Sequence, residues 1–226
     1  MTVVALLVAA GRGERLGSDG PKAFVVLDGV AMIEHSLRAL RAVPDVDHVV
    51  CALPPGITAP AGAHGVQGGE HRSLSVKNAL AHAGDHATVV VVHDAARPLV
   101  TPEIFQACLD ELDTQDCDAV VAAAPVADTL KEANADGVVT RTVDRAGLWA
   151  VQTPQVFRRD ALERALDADP ETLARASDDA GLVEAAGGDV RVVEASRENF
   201  KVTTPQDLAL AELVLRARAG GGAPRH

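Results

Sequence analysis

The chain has 226 residues, 47% of them hydrophobic, enough to bury one sizeable core, and its 32 acidic against 21 basic residues give a formal charge of -11. Such a surface repels phosphate backbones, and with no tyrosine, one tryptophan and four phenylalanines it offers little for base stacking, which argues against a nucleic-acid binder. Three cysteines, Cys51, Cys108 and Cys117, are odd in number and widely spaced, so they are read as buried small hydrophobes rather than as disulfides or zinc ligands.

In chain order, apolar runs bounded by turn residues alternate with segments of helical period. Residues 2–8, 47–53, 87–93 and 118–124 read as short buried strands rich in Val and Ala. The opening run is too short for a membrane span and has no basic segment ahead of it, so a cytoplasmic protein without a membrane partner is expected. Residues 32–43, 72–83 and 102–113 repeat apolar side chains at helical spacing, the last opened by Thr101 as N-cap and Pro102 at the first helical position. Strand and helix in alternation predict an α/β protein: a mainly parallel twisted sheet, helices on both faces, ligands at the carboxyl ends of the strands.

Residues 128–143 break this rhythm with two alternating runs joined by Asn134, Ala135, Asp136 and Gly137, a β-hairpin pattern with glycine where positive φ is needed. A lone two-stranded hairpin is marginal in water, so an arm projecting at about 125–157 needs a partner, and a second copy of the chain is the simplest one. Helical patterns return at 160–168 and 179–186, a strand follows at 190–194, and a helix at about 205–218 opens with Thr204 and Pro205. One domain is expected over 1–218, with a disordered tail at 219–226.

The first strand runs into Ala9, Ala10, Gly11, Arg12 and Gly13, followed by Arg15, Leu16, Gly17, Gly20, Pro21 and Lys22. Small residues after a strand let backbone N–H groups approach an anion. Leu16 fills the third glycine position of a dinucleotide fingerprint, and Pro21 separates Gly20 from Lys22 where a Walker loop needs them adjacent, so both motifs fail. What remains is a phosphate loop with two cations, Arg15 and Lys22, an arrangement that stabilises charge growing on phosphate oxygens as pyrophosphate leaves. Only four residues are lysine, Lys22, Lys77, Lys131 and Lys201, and two of these fall in expected site loops. Arg72 reads equally as a solvated helix charge or as a nucleotide-side group. His93 and Asp94 with Ser73 or Ser75 would suggest a hydrolase triad, but neither serine has a nucleophile elbow around it.

The loop, with the segments 68–76, 92–98, 127–131, 143–149, 153–157 and 199–212, resembles in this order the 2-C-methyl-D-erythritol 4-phosphate cytidylyltransferase family of the non-mevalonate isoprenoid pathway. The resemblance covers all but the tail and implies a Rossmann-like nucleotidyltransferase fold with a protruding β-hairpin arm. It implies that Arg15 and Lys22 stabilise the transition state at the α-phosphorus, and that Ala9, Ala10, Gly11 and Gly13 surround the nucleotide. Gly69, Glu70 and Ser75 match the segment that recognises cytosine; Asp94, Ala95 and Arg97 match the loop facing ribose and acceptor. Thr129 and Arg145 would reach from the arm into the neighbouring subunit of a homodimer. Lys201, with Arg145, would position the acceptor phosphate, and Thr153 and Ser177 would line its pocket. Leu16, Ala23 and Ser177 depart from the residues usual in the family, but none removes a charge.

The reaction so implied transfers CMP from CTP to 2-C-methyl-D-erythritol 4-phosphate, with Mg²⁺ bridging triphosphate oxygens and no protein ligand assigned to the metal. Two other readings stand beside it: a cytidylyltransferase for ribitol 5-phosphate or a similar polyol phosphate, and a non-catalytic nucleotide-binding protein.

Overall fold

A computed structural model describes residues 2–11, 13–17 and 20–219. The expected tail lies outside the described residues, except Ala219, which ends the last helix. In chain order the elements are β1 (Val3–Val8), β2 (Val26–Leu27), β3 (Val30–Ala31), α1 (Met32–Arg41), β4 (Val46–Leu53), β5 (His64–Gln67), α2 (Arg72–Leu80), β6 (Val89–Asp94) and α3 (Pro102–Thr114). Then come β7 (Ala119–Pro125), β8 (Leu130–Ala133), β9 (Val139–Val143), β10 (Trp149–Arg158), α4 (Arg159–Leu166), α5 (Pro170–Arg175), α6 (Asp179–Ala185), β11 (Val190–Glu194) and α7 (Pro205–Ala219).

Seven strands form the central sheet in the order β11-β7-β10-β6-β1-β4-β5. All pairings are parallel except those of β10, which runs antiparallel between β6 and β7. Strands buried on both faces need apolar residues at every position rather than alternation, and the uniform Val, Ala and Leu of β1 and the valine run of β6 meet that need. Successive residues of β1 therefore serve two cores. Val3, Ala5 and Leu7 pack with Ile33 and Leu37 of α1 and Phe105 and Leu109 of α3. Val4 and Leu6 face Val76 and Ala79 of α2, Leu162 of α4, Leu173 of α5 and Val183 of α6. Removing one such leucine side chain costs about 2–5 kcal/mol. A smaller cluster, Leu16, Leu27, Met32, Leu99, Val202 and Ala211, seats α7 over the β2–β3 hairpin.

One sequence expectation changes here. Residues 149–158 form β10 of the central sheet, so the freely projecting part of the expected arm is the shorter stretch between Val126 and Leu148, whose backbones are hydrogen-bonded at 3.1 Å. Thr101 and Pro102 open α3 as expected, Thr101 as N-cap without a capping bond from its hydroxyl. Short elements β5 and α5, not expected from the sequence, complete the sheet edge and one helical face. The arm itself is the expected hairpin. Asn134 Oδ1 accepts from the N–H groups of Asp136 and Val138, and Gly137 has φ 80°. All three cysteines are free and buried, and burial pushes the Cys51 and Cys108 thiols up to about 12.

Candidate active site

Parallel β1, β4, β5 and β6 release their carboxyl ends on one edge of the sheet, and the glycine loop leaves β1 there. Its base is fixed by Ala9 N–H donating to the Ala52 carbonyl at 2.9 Å. Two 3₁₀ turns follow, Glu14–Leu16 carrying Arg15 and Lys22–Phe24 opened by Pro21. Leu16 and Ala23 are buried and anchor these turns, so the departures from the usual family residues are packing positions. Gly13, with φ 75°, lies so close to Lys22 that an added Cβ would stand 2.7 Å from the lysine Cβ. The Lys22 N–H donates to the Gly11 carbonyl at 3.3 Å. Half-burial, then the charges of Lys201 and Arg15, lower the Lys22 ammonium to about 8.

The opposite wall comes from the turn into α2. Gly68 N–H donates to the Leu53 carbonyl at 2.8 Å, and a Cβ on Gly68 would lie 2.3 Å from that of Ala10, so only glycine lets the two loops touch. Gly69 N–H donates to Ser75 Oγ at 3.0 Å, while the Ser75 hydroxyl donates to the His71 carbonyl at 3.1 Å. With its hydroxyl spent there, and Ser73 also buried, neither serine is set up as a nucleophile for a hydrolase triad.

Asp94, last residue of β6, sits where two cavities meet. Arg72 Nε donates to its Oδ1 at 2.9 Å and Lys201 Nζ to its Oδ2 at 2.7 Å. Burial alone would raise the Asp94 carboxyl, but these two cations hold it well below the usual carboxylate range. Arg72 also donates through Nη1 to Asp179 Oδ2 at 2.5 Å, and the two carboxylates keep its guanidinium charged despite burial. Asp179 is wholly enclosed, and burial outweighs Arg72 in raising its carboxyl.

The first cavity is lined by Ala9, Ala10, Gly11, Gly13, Arg15, Lys22, Gly69, Glu70 and Ser75, with Arg72, Asp94 and Lys201 as its inner wall. The second lies on the other side of that wall, against Arg97, Thr153 and Ser177. Thr153 is only 4% exposed, and its hydroxyl is engaged by the Asp94 N–H at 3.1 Å and His93 Nδ1 at 3.0 Å. His93 Nε2 meets the Arg97 carbonyl at 3.3 Å. Burial lowers the His93 imidazole to about 3, and with both ring nitrogens engaged the ring serves as a strut between Thr153 and Arg97. Arg97 in turn donates through Nη1 to the Asn199 carbonyl at 2.7 Å.

The site residues expected from the sequence thus gather at two adjoining cavities, with three exceptions. Ala95 is wholly buried in the core with its N–H committed to the Val8 carbonyl, and it is the neighbouring Ala96 that lines the first cavity. Thr129 and Arg145 sit on the exposed arm and line neither cavity of their own chain. The sequence alone leaves Arg72 undecided and does not single out Asp178, Asp179 or Gln155. Gln155 Nε2 donates to Asp178 Oδ2 at 2.8 Å, and its Oε1 accepts from the Ala180 N–H at 3.2 Å, fixing the start of α6 beside the second cavity. The pairing of Arg72 with Asp179 spans 107 positions, and no local pattern announces it. Among the described residues no group of three or more His, Cys, Asp or Glu side chains could hold a metal ion, and no helix is long and apolar enough to cross a membrane.

Comparison with known proteins gives a consistent family. The family model described as 2-C-methyl-D-erythritol 4-phosphate cytidylyltransferase matches residues 3–217. A protein of that name from Deinococcus radiodurans is 48% identical over 221 residues, covering 96% of this chain and 91% of its own length. Another, from Pelotomaculum thermopropionicum, is 41% identical over 230 residues, 96% of each chain. The crystal structure of the Thermus thermophilus protein of that name superposes with a TM-score of 0.80 at 38% identity, covering 96% of this chain and 100% of that one.

Proposed function

The chain belongs to the 2-C-methyl-D-erythritol 4-phosphate cytidylyltransferase family, and from this we infer that it transfers CMP from CTP to 2-C-methyl-D-erythritol 4-phosphate, releasing pyrophosphate. One observation carries the reading to the residues: two cavities share a wall made of Arg72, Asp94 and Lys201, and the loop cations Arg15 and Lys22 line only the first. A triphosphate in the first cavity and a phosphorylated polyol in the second would bring donor and acceptor together across that wall.

In this assignment Ala9, Ala10, Gly11 and Gly13 give the triphosphate backbone contacts, and Gly69, Glu70 and Ser75 border the base. Arg97, Thr153 and Ser177 border the acceptor. An ionised acceptor oxygen attacks the α-phosphorus, the bond to the β-phosphate oxygen breaks, and its electron pair leaves with pyrophosphate. No strong base is needed, because the attacking phosphate is already ionised near neutral pH. The enzyme supplies alignment and charge: Arg15 and Lys22 offset the charge that grows during transfer, while Lys201 holds the acceptor phosphate. Lys201 spends one of its three N–H donors on Asp94 and keeps two for a phosphate.

The family chemistry calls for a divalent cation, for which we assign Mg²⁺. Both oxygens of Asp94 already accept from cations. The residues therefore fit an ion that arrives with the triphosphate and is held by phosphate oxygens and water, not by a protein cage. Bound there, it neutralises triphosphate charge and polarises the phosphoryl oxygens.

We further assign residues 1–218 as one nucleotidyltransferase unit and the segment at about 125–157 as its dimerisation arm, the free hairpin of which carries Thr129 and Arg145 to the partner's acceptor cavity. Support comes from the hairpin's isolation. Among the described residues its strands pair only with each other, and Leu130, Val138 and Val139 are exposed on it. The three free thiols suit a reducing cytoplasm.

Acceptor choice is tested by comparing turnover with methylerythritol 4-phosphate and ribitol 5-phosphate at equal CTP. The reading requires a preference for the former, and a preference for ribitol 5-phosphate would replace it.

A further inference from the structure

Five buried side-chain atoms lack a hydrogen-bond partner among the described residues, and four of them, Arg72 Nη2, Arg97 Nε, Asp179 Oδ1 and Asn199 Oδ1, surround Asp94 and its contacts. The fifth, Ser36 Oγ, belongs to α1. Buried ionic networks left partly unsatisfied are costly, and a core optimised only for stability does not concentrate them in one place. Here Arg72 belongs to the wall between the cavities, Asp179 is bonded behind it, and Arg97 lines the second cavity and bonds the Asn199 carbonyl. The charged members of the ion-pair network come from four separate elements: Arg72 from the first turn of α2, Asp94 from the end of β6, Asp179 from the first turn of α6, and Lys201 from the segment before α7.

We propose that Arg72 is a positioning residue for the transfer: anchored by buried Asp179, it fixes the Asp94 carboxylate, which in turn aims the Lys201 ammonium at the acceptor phosphate. Asp94 uses one oxygen for Arg72 and the other for Lys201, so rotating the carboxylate moves Lys201. Arg72 uses Nε for Asp94 and Nη1 for Asp179, two donors of one planar fork, so Asp179 sets the plane in which Arg72 presents Nε. A lysine has a single point charge and cannot reproduce this fork. Lys201 is the exposed end of the network, its side chain 43% accessible, whereas those of Asp94 and Asp179 are 9% and 0%. The inference rests on the proposed function and adds to it the means by which the acceptor cation is held.

Removing the Arg72 fork also changes the electrostatics of the wall. The groups around Asp94 are Arg72 on α2, Lys201 before α7, Lys22 on the glycine loop, His93 on β6, Arg97 just after it, and Asp179 on α6. Arg72 is the largest of the cationic influences that lower Asp94. A lysine there keeps a positive charge but loses the second donor, so Asp94 is held less firmly against Lys201.

The experiment measures kcat and both KM values for the wild type, Arg72→Lys, Asp179→Asn, Asp94→Asn and the Arg72→Lys/Asp94→Asn pair, with melting curves for each. For Arg72→Lys we expect kcat to fall by about ten- to hundred-fold with the KM for CTP within about three-fold. Asp179→Asn should lose kcat in the same direction but by less. The double variant should be no worse than Asp94→Asn alone, because Arg72 acts through Asp94. Additive losses, or wild-type kcat in a folded Arg72→Lys or Asp179→Asn enzyme, overturn the proposal. If Arg72→Lys does not fold, Asp179→Asn decides; if neither folds, the network is structural and the proposal fails. A wild type that releases no pyrophosphate would count against the proposed function instead.

Discussion

Gly13 and Lys22 touch across the root of the phosphate loop, and the contact exists only because residue 13 has no side chain. A Cβ there would stand 2.7 Å from Lys22 Cβ and 3.1 Å from its Cα. Gly17 also has positive φ, 69°, yet a Cβ added to it would meet no described atom within 4 Å. The two glycines therefore separate backbone strain from contact. Each change to alanine incurs a strain of about 1 kcal/mol. Gly13→Ala also displaces Lys22, so its kcat/KM should fall by about a hundred-fold, against a few-fold at most for Gly17→Ala. Steady-state kinetics with melting curves distinguish the two, and equal effects would mean that Lys22 placement does not depend on Gly13.

The assignment of Lys22 to the triphosphate predicts a CTP affinity that weakens in alkali. Burial, and then the neighbouring Lys201 and Arg15 charges, lower the Lys22 ammonium to about 8. In that assignment the triphosphate is met by the charged form. Affinity for CTP should be level from about pH 6.5 to 7.5 and fall above about pH 8, approaching a ten-fold loss per unit. Lys22→Arg, charged throughout this range, should bind CTP with no such decline but turn over more slowly. Calorimetry across pH checks it, and an unchanged alkaline limb in Lys22→Arg would assign the limb to another group.

His93 gives a stability signature in acid. Its imidazole titrates at about 3 when folded against 6.5 when exposed. Above 6.5 neither state is protonated and the full contribution is present. Below it the unfolded chain binds a proton that the folded chain refuses, so stability drains away as pH falls towards about 3, at about 1.4 kcal/mol per unit. Between about pH 5 and 6.5 the difference between wild type and a His93 variant isolates the histidine. Asp94 is held low and loses its charge below this window, and buried Asp179, whose carboxyl is raised, is common to both proteins. Urea titrations of the wild type and His93→Gln in that window should show the wild-type slope steeper by roughly one proton. Parallel slopes would mean that His93 is protonated in the folded protein.

The arm assignment predicts complementation between chains. Arg145→Ala and Lys22→Ala should each be inactive alone. Mixed after subunit exchange, they should recover up to about a quarter of wild-type activity, since one of the two sites in a heterodimer carries both side chains. No recovery despite exchange verified by mass would mean that each site is built within one chain.

Much of this architecture was legible because buried parallel strands and amphipathic helices write their periods into local sequence. Strands β1, β4, β6, β7 and β11, and helices α1 to α4, α6 and α7, lie within a few residues of where apolar runs and spacing put them. Strand β10 was not, for a physical reason. Pro154 interrupts it, Gln152, Thr153 and Gln155 dilute its apolar pattern, and its register against β7 breaks between Val151 and Gln155. The same polar residues line the second cavity. The glycine loop was readable as chemistry because its residues are contiguous. The Arg72–Asp94–Asp179–Lys201 wall was not, since its parts come from four elements and only folding joins them. Ala95 and Ala96 illustrate the finer limit: neighbouring alanines look alike in sequence, and only the backbone path decides which one faces the cavity.

Cytidylyl transfer to a polyol phosphate is the central claim, and pyrophosphate release tests it most directly. Purified enzyme with Mg²⁺ and methylerythritol 4-phosphate is given CTP, ATP, GTP or UTP in turn, with an acceptor-free control for each. Release with CTP that depends on the acceptor, and little with the other three, is the expected result. Equal release with all four nucleotides, or none with CTP and this acceptor, would contradict it.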